Sequence, residues 1–125
     1  MNAFIIVFLG AGIGGALRHG TNLAALRLFG AGFPYGTLAV NILGSLVMGL
    51  LAGWFAQKAD PGQTWRLFLT TGVLGGFTTF STFSLDTALL WERGQAGLAL
   101  AYVLLSLTLA LLGLFAGLML MRHIG

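Results

Sequence analysis

The chain has 125 residues, of which 58% are hydrophobic and only 7% charged, far below the roughly one-quarter charged content of an ordinary soluble domain. Six Lys and Arg against three Asp and Glu give a formal charge of +3, but the basic residues are scattered singly and form no stripe of the kind nucleic acid requires, which excludes it as a partner. With no Cys, disulfide frameworks, thiolate metal sites and cysteine nucleophiles are excluded as well.

A lipid-facing protein is the class that remains. A spanning helix needs about 20 mainly apolar residues, and the first such segment covers residues 3–26, from Ala3 past Arg18. It opens Met1-Asn2-Ala3-Phe4 without the basic stretch of a secretory signal, so a retained helix is expected. Within it, Gly10-Ala11-Gly12-Ile13-Gly14-Gly15 has glycine-rich spacing but follows no strand. It therefore reads as a packing face rather than a nucleotide fingerprint.

The second span is expected over residues 37–56. It is entered through Gly32-Phe33-Pro34-Tyr35-Gly36 and left through Gln57-Lys58-Ala59-Asp60-Pro61-Gly62, a polar turn with a helix-ending Pro-Gly pair. Asn41, Ser45, Gly49 and Gly53 recur at every fourth position and share one face. By spacing alone, Asn41 and Ser45 read as interhelical glue, the commoner role of an intramembrane amide.

The third span, residues 65–92, changes character at Gly75-Gly76-Phe77-Thr78-Thr79-Phe80-Ser81-Thr82-Phe83-Ser84. Two glycines followed by β-branched and hydroxyl residues make poor helix, so a break is expected near residues 75–79. Broken membrane helices expose carbonyls and N–H groups that bind ions. Carbonyls near Gly75 and Thr78 suit a cation. Phe80 and Phe83 fall at i and i+3 on one helix face. That spacing is ordinary packing, but the positive ring edges can also meet an anion without trapping it.

The fourth span, residues 96–121, carries Tyr102, Ser106, Ala110, Gly113 and Gly117 in a narrow stripe of hydroxyls and small residues, which is more often a seam than a path. Asp86 is the single carboxylate expected at membrane depth, and His19 and His123 sit at span ends without metal-ligand spacing. No catalytic arrangement is present, and no enzyme activity is expected.

Four spans put Lys58, Arg66 and Arg122 on one side and Arg18, Arg27 and Arg93 on the other, so the positive-inside rule prefers neither orientation. Such a tie is what an antiparallel, dual-topology homodimer would show, although so few charges can also tie by accident.

The run from Gly75 to Ser84, together with Gly14-Gly15-Ala16-Leu17-Arg18 and Gly36-Thr37-Leu38-Ala39-Val40-Asn41, resembles the signature of the Fluc (CrcB) fluoride channels. The resemblance covers essentially the whole chain. It implies an all-α integral membrane protein of four helices with the third broken, assembling as an antiparallel homodimer with two pores in the bacterial inner membrane. It further implies that Phe80 and Phe83 line the pore, that Asn41 and Thr37 donate to fluoride, and that Tyr102 and Ser106 line a polar track on the fourth helix. Gly75 and Thr78 would give backbone carbonyls to a central structural Na+, and Arg18 would set the electrostatics of a pore entrance. Asp86 stands where family members often carry Glu, one methylene longer. The rival reading is a small proton-coupled multidrug exporter of similar size and dual topology, but this needs a carboxylate in the first span, and none lies between Met1 and Arg27.

Overall fold

The structure, a computed structural model, describes residues 2–57 and 61–124. Lys58 and Asp60, read above as part of a polar turn, lie outside the described residues.

All regular structure among the described residues is helical. Helix α1 spans Ala3–Phe29 and is capped by the Asn2 side chain, whose Oδ1 accepts from the Phe4 N–H at 2.7 Å. Helix α2 spans Tyr35–Gln57. The third span is built in pieces: α3 (Gln63–Arg66), a π-helical segment (Leu67–Leu74), a single turn α4 (Gly75–Phe77), and α5 (Phe80–Glu92). Helix α6 spans Ala96–Ile124. Three of these, α1, α2 and α6, are unbroken and apolar enough to cross a membrane. With the composite third span they account for the four expected crossings.

The break falls at Thr78 and Thr79, both extended (φ −85°, ψ 155° and φ −152°, ψ 121°). The two glycines remain in a helical turn, so the interruption is narrower than the glycine pair suggests. A hydroxyl back-bond lies within the π-helical segment. Thr70 Oγ1 donates to the Arg66 carbonyl at 2.6 Å, the acceptor an α-helix reserves for the Thr70 N–H. Such back-bonding disturbs the ladder, and at the segment's end the Gly75 N–H reaches the Thr70 carbonyl five residues back.

Lipid offers little hydrophobic drive for helix association, so close backbone approach must supply it. Helix α2 packs most extensively on α6, and α1 on the π-helical segment. Both seams are lined by glycine. A Cβ on Gly14 would meet the Val73 carbonyl oxygen, and one on Gly49 would meet the Leu114 carbonyl oxygen. The stripe read on the fourth span lies on the α2 side, with Tyr102, Ser106 and Gly117 buried. At the α5–α6 turn, Gly94 (φ 77°) takes the left-handed position. The Gly94 and Gln95 N–H groups bond the Trp91 and Leu90 carbonyls, the Schellman arrangement that ends a helix sharply. This turn returns α6 across α5 and puts Leu90, Ala99 and Tyr102 in one buried cluster with Phe33, Leu38 and Phe83 against it.

Candidate functional site

The break in the third span is held open from α2. Asn41 Nδ2 donates to the Thr79 carbonyl at 3.0 Å, and the Thr79 N–H donates to Asn41 Oδ1 at 2.8 Å. Thr79 in turn caps α5, its Oγ1 accepting from the Thr82 N–H at 3.2 Å and lying 3.3 Å from Ser81 Oγ. Gly44 lets the Thr78 methyl close against α2.

Two carbonyls lose their helical donors by this arrangement. In an unbroken helix the Thr79 N–H would serve the Gly75 carbonyl, and the Thr82 N–H would serve the Thr78 carbonyl. Here the first goes to Asn41 and the second to Thr79 Oγ1. Gly75 is exposed beside a cavity between the third span and α2, lined by Thr70, Thr71, Met48, Ala52, Phe55 and Arg66.

Beside the break is a cavity of about 230 Å³ lined by Asn41, Ser45, Thr78, Thr79, Phe80, Phe83, Ser106, Leu107 and Ala110. None of these side chains is charged. Phe80 and Phe83 pack with ring centroids 5.5 Å apart, as their spacing predicts, but they sit differently: Phe83 is half-buried, whereas Phe80 is 75% exposed and points away from the chain's own core. Most hydroxyls nearby are already spent on their own helix. Ser84 donates to the Phe80 carbonyl, Thr87 to the Phe83 carbonyl and Thr78 to the Leu74 carbonyl. Ser45 and Ser106 are exceptions: neither hydroxyl has a hydrogen-bond partner among the described residues, and the Ser106 Oγ is buried. An orphaned donor of this kind is costly unless something in the cavity accepts from it.

Thr37 and Tyr102 lie together at a second cavity's side of the core. Tyr102 is fully buried, and its hydroxyl donates to Asp86 Oδ2 at 3.1 Å. Thr37 and Asp86 line that cavity, about 300 Å³, with Asn22, Thr82, Arg93 and the turn from Gly30 to Gly36. The structure thus brings Asn41, Thr78, Phe80, Phe83 and Ser106 to one cavity and Thr37 to another, with Tyr102 behind the second and Gly75 beside a third. Arg18 is half-buried on α1 and lines neither cavity. Thr79 and Asp86 acquire contacts that spacing alone does not assign; the extended Thr-Thr pair before an α-helical Phe is the one signal that marks Thr79 as a cap.

The sequence of the family described as "CrcB-like protein, Camphor Resistance (CrcB)" matches residues 5–118. The chain belongs to the CrcB family. Among its relatives, the "Fluoride-specific ion channel FluC" of Methylobacterium nodulans is 60% identical over 121 residues, 97% of each chain. That of Rhodopseudomonas palustris is 58% identical over 97% of this chain and 98% of the relative. "Fluoride-specific ion channel FluC 2" of Nitrobacter hamburgensis is 55% identical with the same coverage. A CrcB protein with helices of this length and apolarity is a multi-pass membrane protein.

Proposed function

We propose that this CrcB protein is a passive, fluoride-selective channel that lets cytoplasmic fluoride out of the cell across the bacterial inner membrane. The observation that carries the reading is the uncharged cavity at the helix break, which a buried, unpartnered Ser106 lines together with Phe80 and Phe83. Fluoride is small and strongly hydrated, so a pore must replace lost water with close donors. It must also hold the ion weakly enough to release it, which fixed cations in the path would prevent. Ser106 Oγ–H, the second Nδ2–H of Asn41 and the phenyl edges supply such a set. The relatives named above support the choice of ion.

No energy source is needed. Hydrogen fluoride crosses bilayers neutral and ionises inside, and an inside-negative potential drives the anion outward with roughly 2.3 kcal/mol per 100 mV. The protein's role is transport rather than covalent chemistry.

The functional unit in this reading is an antiparallel homodimer with two pores. Support comes from the exposed Phe80 ring, which reaches beyond its own chain, and from the three-to-three charge tie. Thr37 belongs to the polar lining of each route, with Tyr102 behind it, and Arg18 sets the field at an entrance. The Gly75 and Thr78 carbonyls fit a structural Na+, since both are hard oxygen donors released from the helical ladder. Two such carbonyls per chain would be doubled by the partner copy, giving the ion an all-carbonyl shell without a net protein charge.

The deciding experiment is efflux from liposomes loaded with potassium fluoride, triggered by valinomycin and read with a fluoride electrode beside a matched chloride sample. Fast fluoride loss with chloride retained is expected. Fluoride retention by correctly folded dimer would remove the reading.

A further inference from the structure

Ser45 is half-buried on α2 and lines the cavity at the break, one helical turn beyond Asn41. A serine or threonine inside a helix can return its hydroxyl to the carbonyl four residues back, as Ser84 does to Phe80 and Thr87 to Phe83. Ser45 makes no such bond, and its hydroxyl has no partner among the described residues. A polar group left open at membrane depth calls for an explanation.

Interhelical glue, the role its spacing suggests, finds nothing to hold. A Cβ on Gly113 would lie 3.5 Å from the Ile42 carbonyl oxygen and 3.6 Å from the Leu46 nitrogen, so Ser45 is level with Gly113. From Leu109 to Gly117, α6 carries no polar side chain. The two helices run in the same direction, since Gly49 meets Leu114 and Gly53 meets Leu118. Ser106 precedes Gly113 by seven residues, about 10 Å along the helix axis, and Asn41 precedes Ser45 by about 6 Å on α2.

The polar groups of the cavity therefore lie in series. The Ser106 hydroxyl stands toward one end, the spare Asn41 N–H between, and the Ser45 hydroxyl toward the other. Beyond Ser45 the seam shuts, because Gly49 is buried and a Cβ there would meet the Leu114 carbonyl oxygen. Ser45 is the last donor that the space between α2 and α6 offers.

We propose that Ser45 is a fluoride ligand, the last of three donors that pass the ion along this cavity from Ser106 past Asn41. The identity of the ion rests on the channel reading above; the register of the helices and the unspent hydroxyl do not. Donors in series suit a permeating ion, because each replaces part of the lost water and no single one holds it.

The first test needs no transport. In protein labelled with 13Cβ-serine, the resonances are those of Ser45, Ser81, Ser84 and Ser106, and the Ser45 signal is the one that Ser45→Ala removes. Exchanging sodium gluconate for sodium fluoride should move the Ser45 and Ser106 resonances and leave that of Ser84, whose hydroxyl is spent on the Phe80 carbonyl. A Ser45 resonance indifferent to fluoride overturns the proposal, as does an equal response to sodium chloride.

The second test is efflux from fluoride-loaded liposomes. Ser45→Ala should slow fluoride loss about tenfold, the change expected when a barrier loses one hydrogen bond to a charged group, with no fall in the denaturant midpoint. A serine that only joined helices would instead lower the midpoint and keep wild-type efflux, and that result overturns the proposal. If Ser45→Ala yields no folded protein, Ser45→Cys takes its place in both tests, since a thiol has nearly the same shape and is a weak donor. Wild-type protein that moves no fluoride removes the channel reading; a Ser45 resonance that still answers fluoride would then leave a fluoride site standing without a channel.

Discussion

Asn41 and Thr79 exchange two hydrogen bonds, amide to carbonyl and N–H to amide oxygen, across 38 residues of sequence. An amide that also serves an ion therefore has one N–H left for it. The two bonds hold the extended backbone of the break, and intramembrane hydrogen bonds average about 0.6 kcal/mol with maxima near 1.7. Asn41→Ala should thus lower unfolding stability by about 1 to 3 kcal/mol as well as slowing fluoride efflux. Asn41→Asp should be at least as damaging, because it sets a second oxygen against the Thr79 carbonyl. Denaturant titration of the purified protein decides this. Stability equal to wild type in both variants would leave Asn41 as an ion ligand only.

Phe80 and Phe83 should separate in stability while agreeing in function. Phe80 is exposed in its own chain, whereas Phe83 rests on Tyr102. Phe80→Ile should leave the chain's own fold intact, and Phe83→Ile should cost about 1 kcal/mol from the lost ring pair. Both should reduce fluoride efflux at least about tenfold, since about 1.4 kcal/mol at a single barrier suffices for that. Wild-type efflux in either variant would remove the ring-edge mechanism.

The four crossings and the disturbed third span are legible in the residues, because hydropathy alone marks membrane helices and a Gly-Gly-Phe-Thr-Thr run is poor helix. The aromatic pair at Phe80 and Phe83 is equally readable from its spacing. What spacing does not carry is which hydroxyls are spent. Thr78, Ser84 and Thr87 look like a donor-rich wall, yet each bonds a carbonyl four residues back, and only the fold leaves Ser106 without a partner. Asn41 is ambiguous between glue and ligand for the same reason: its partner is a backbone group, and a backbone group has no signature in the sequence.

The glycine seams should tolerate almost nothing. A Cβ on Gly117 would lie 2.6 Å from the Leu46 carbonyl oxygen and 2.7 Å from the Leu50 nitrogen, both backbone atoms that cannot rotate away. Gly49 faces the Leu114 carbonyl in the same seam. Gly117→Ala and Gly49→Ala should each destabilise the protein by about 1 to 3 kcal/mol through overpacking. Gly20, in α1, has open space where its Cβ would go, so Gly20→Ala should be neutral or gain up to about 1 kcal/mol of helix propensity. Denaturant midpoints for the three variants check the contrast, and equal shifts in all of them would mean that close approach is not what holds the helices.

The carbonyls of Gly75 and Thr78 give the last prediction, and its sign follows from where the N–H groups go. The Thr79 N–H is held by Asn41 and the Thr82 N–H by Thr79 Oγ1, so neither carbonyl keeps the donor an α-helix would supply. A polar group at membrane depth needs a partner, and the proposed monovalent cation, shared by two copies, would answer the need of both carbonyls at once. A ligand that binds only the assembled state stabilises it by RT ln(1 + [L]/Kd), about 2.7 kcal/mol at a hundredfold excess over Kd. Replacing sodium by N-methylglucamine at constant ionic strength should therefore shift the dimer toward monomer and lower its denaturant midpoint. Thr79→Ala, which removes the α5 cap at a cost of about 1 kcal/mol, frees the Thr82 N–H to return to the Thr78 carbonyl and should shrink the sodium-dependent part of that stability. Identical dimer stability with and without sodium would leave these carbonyls to water or to the partner chain's own N–H groups, and the broken span would then be a feature of the anion path alone.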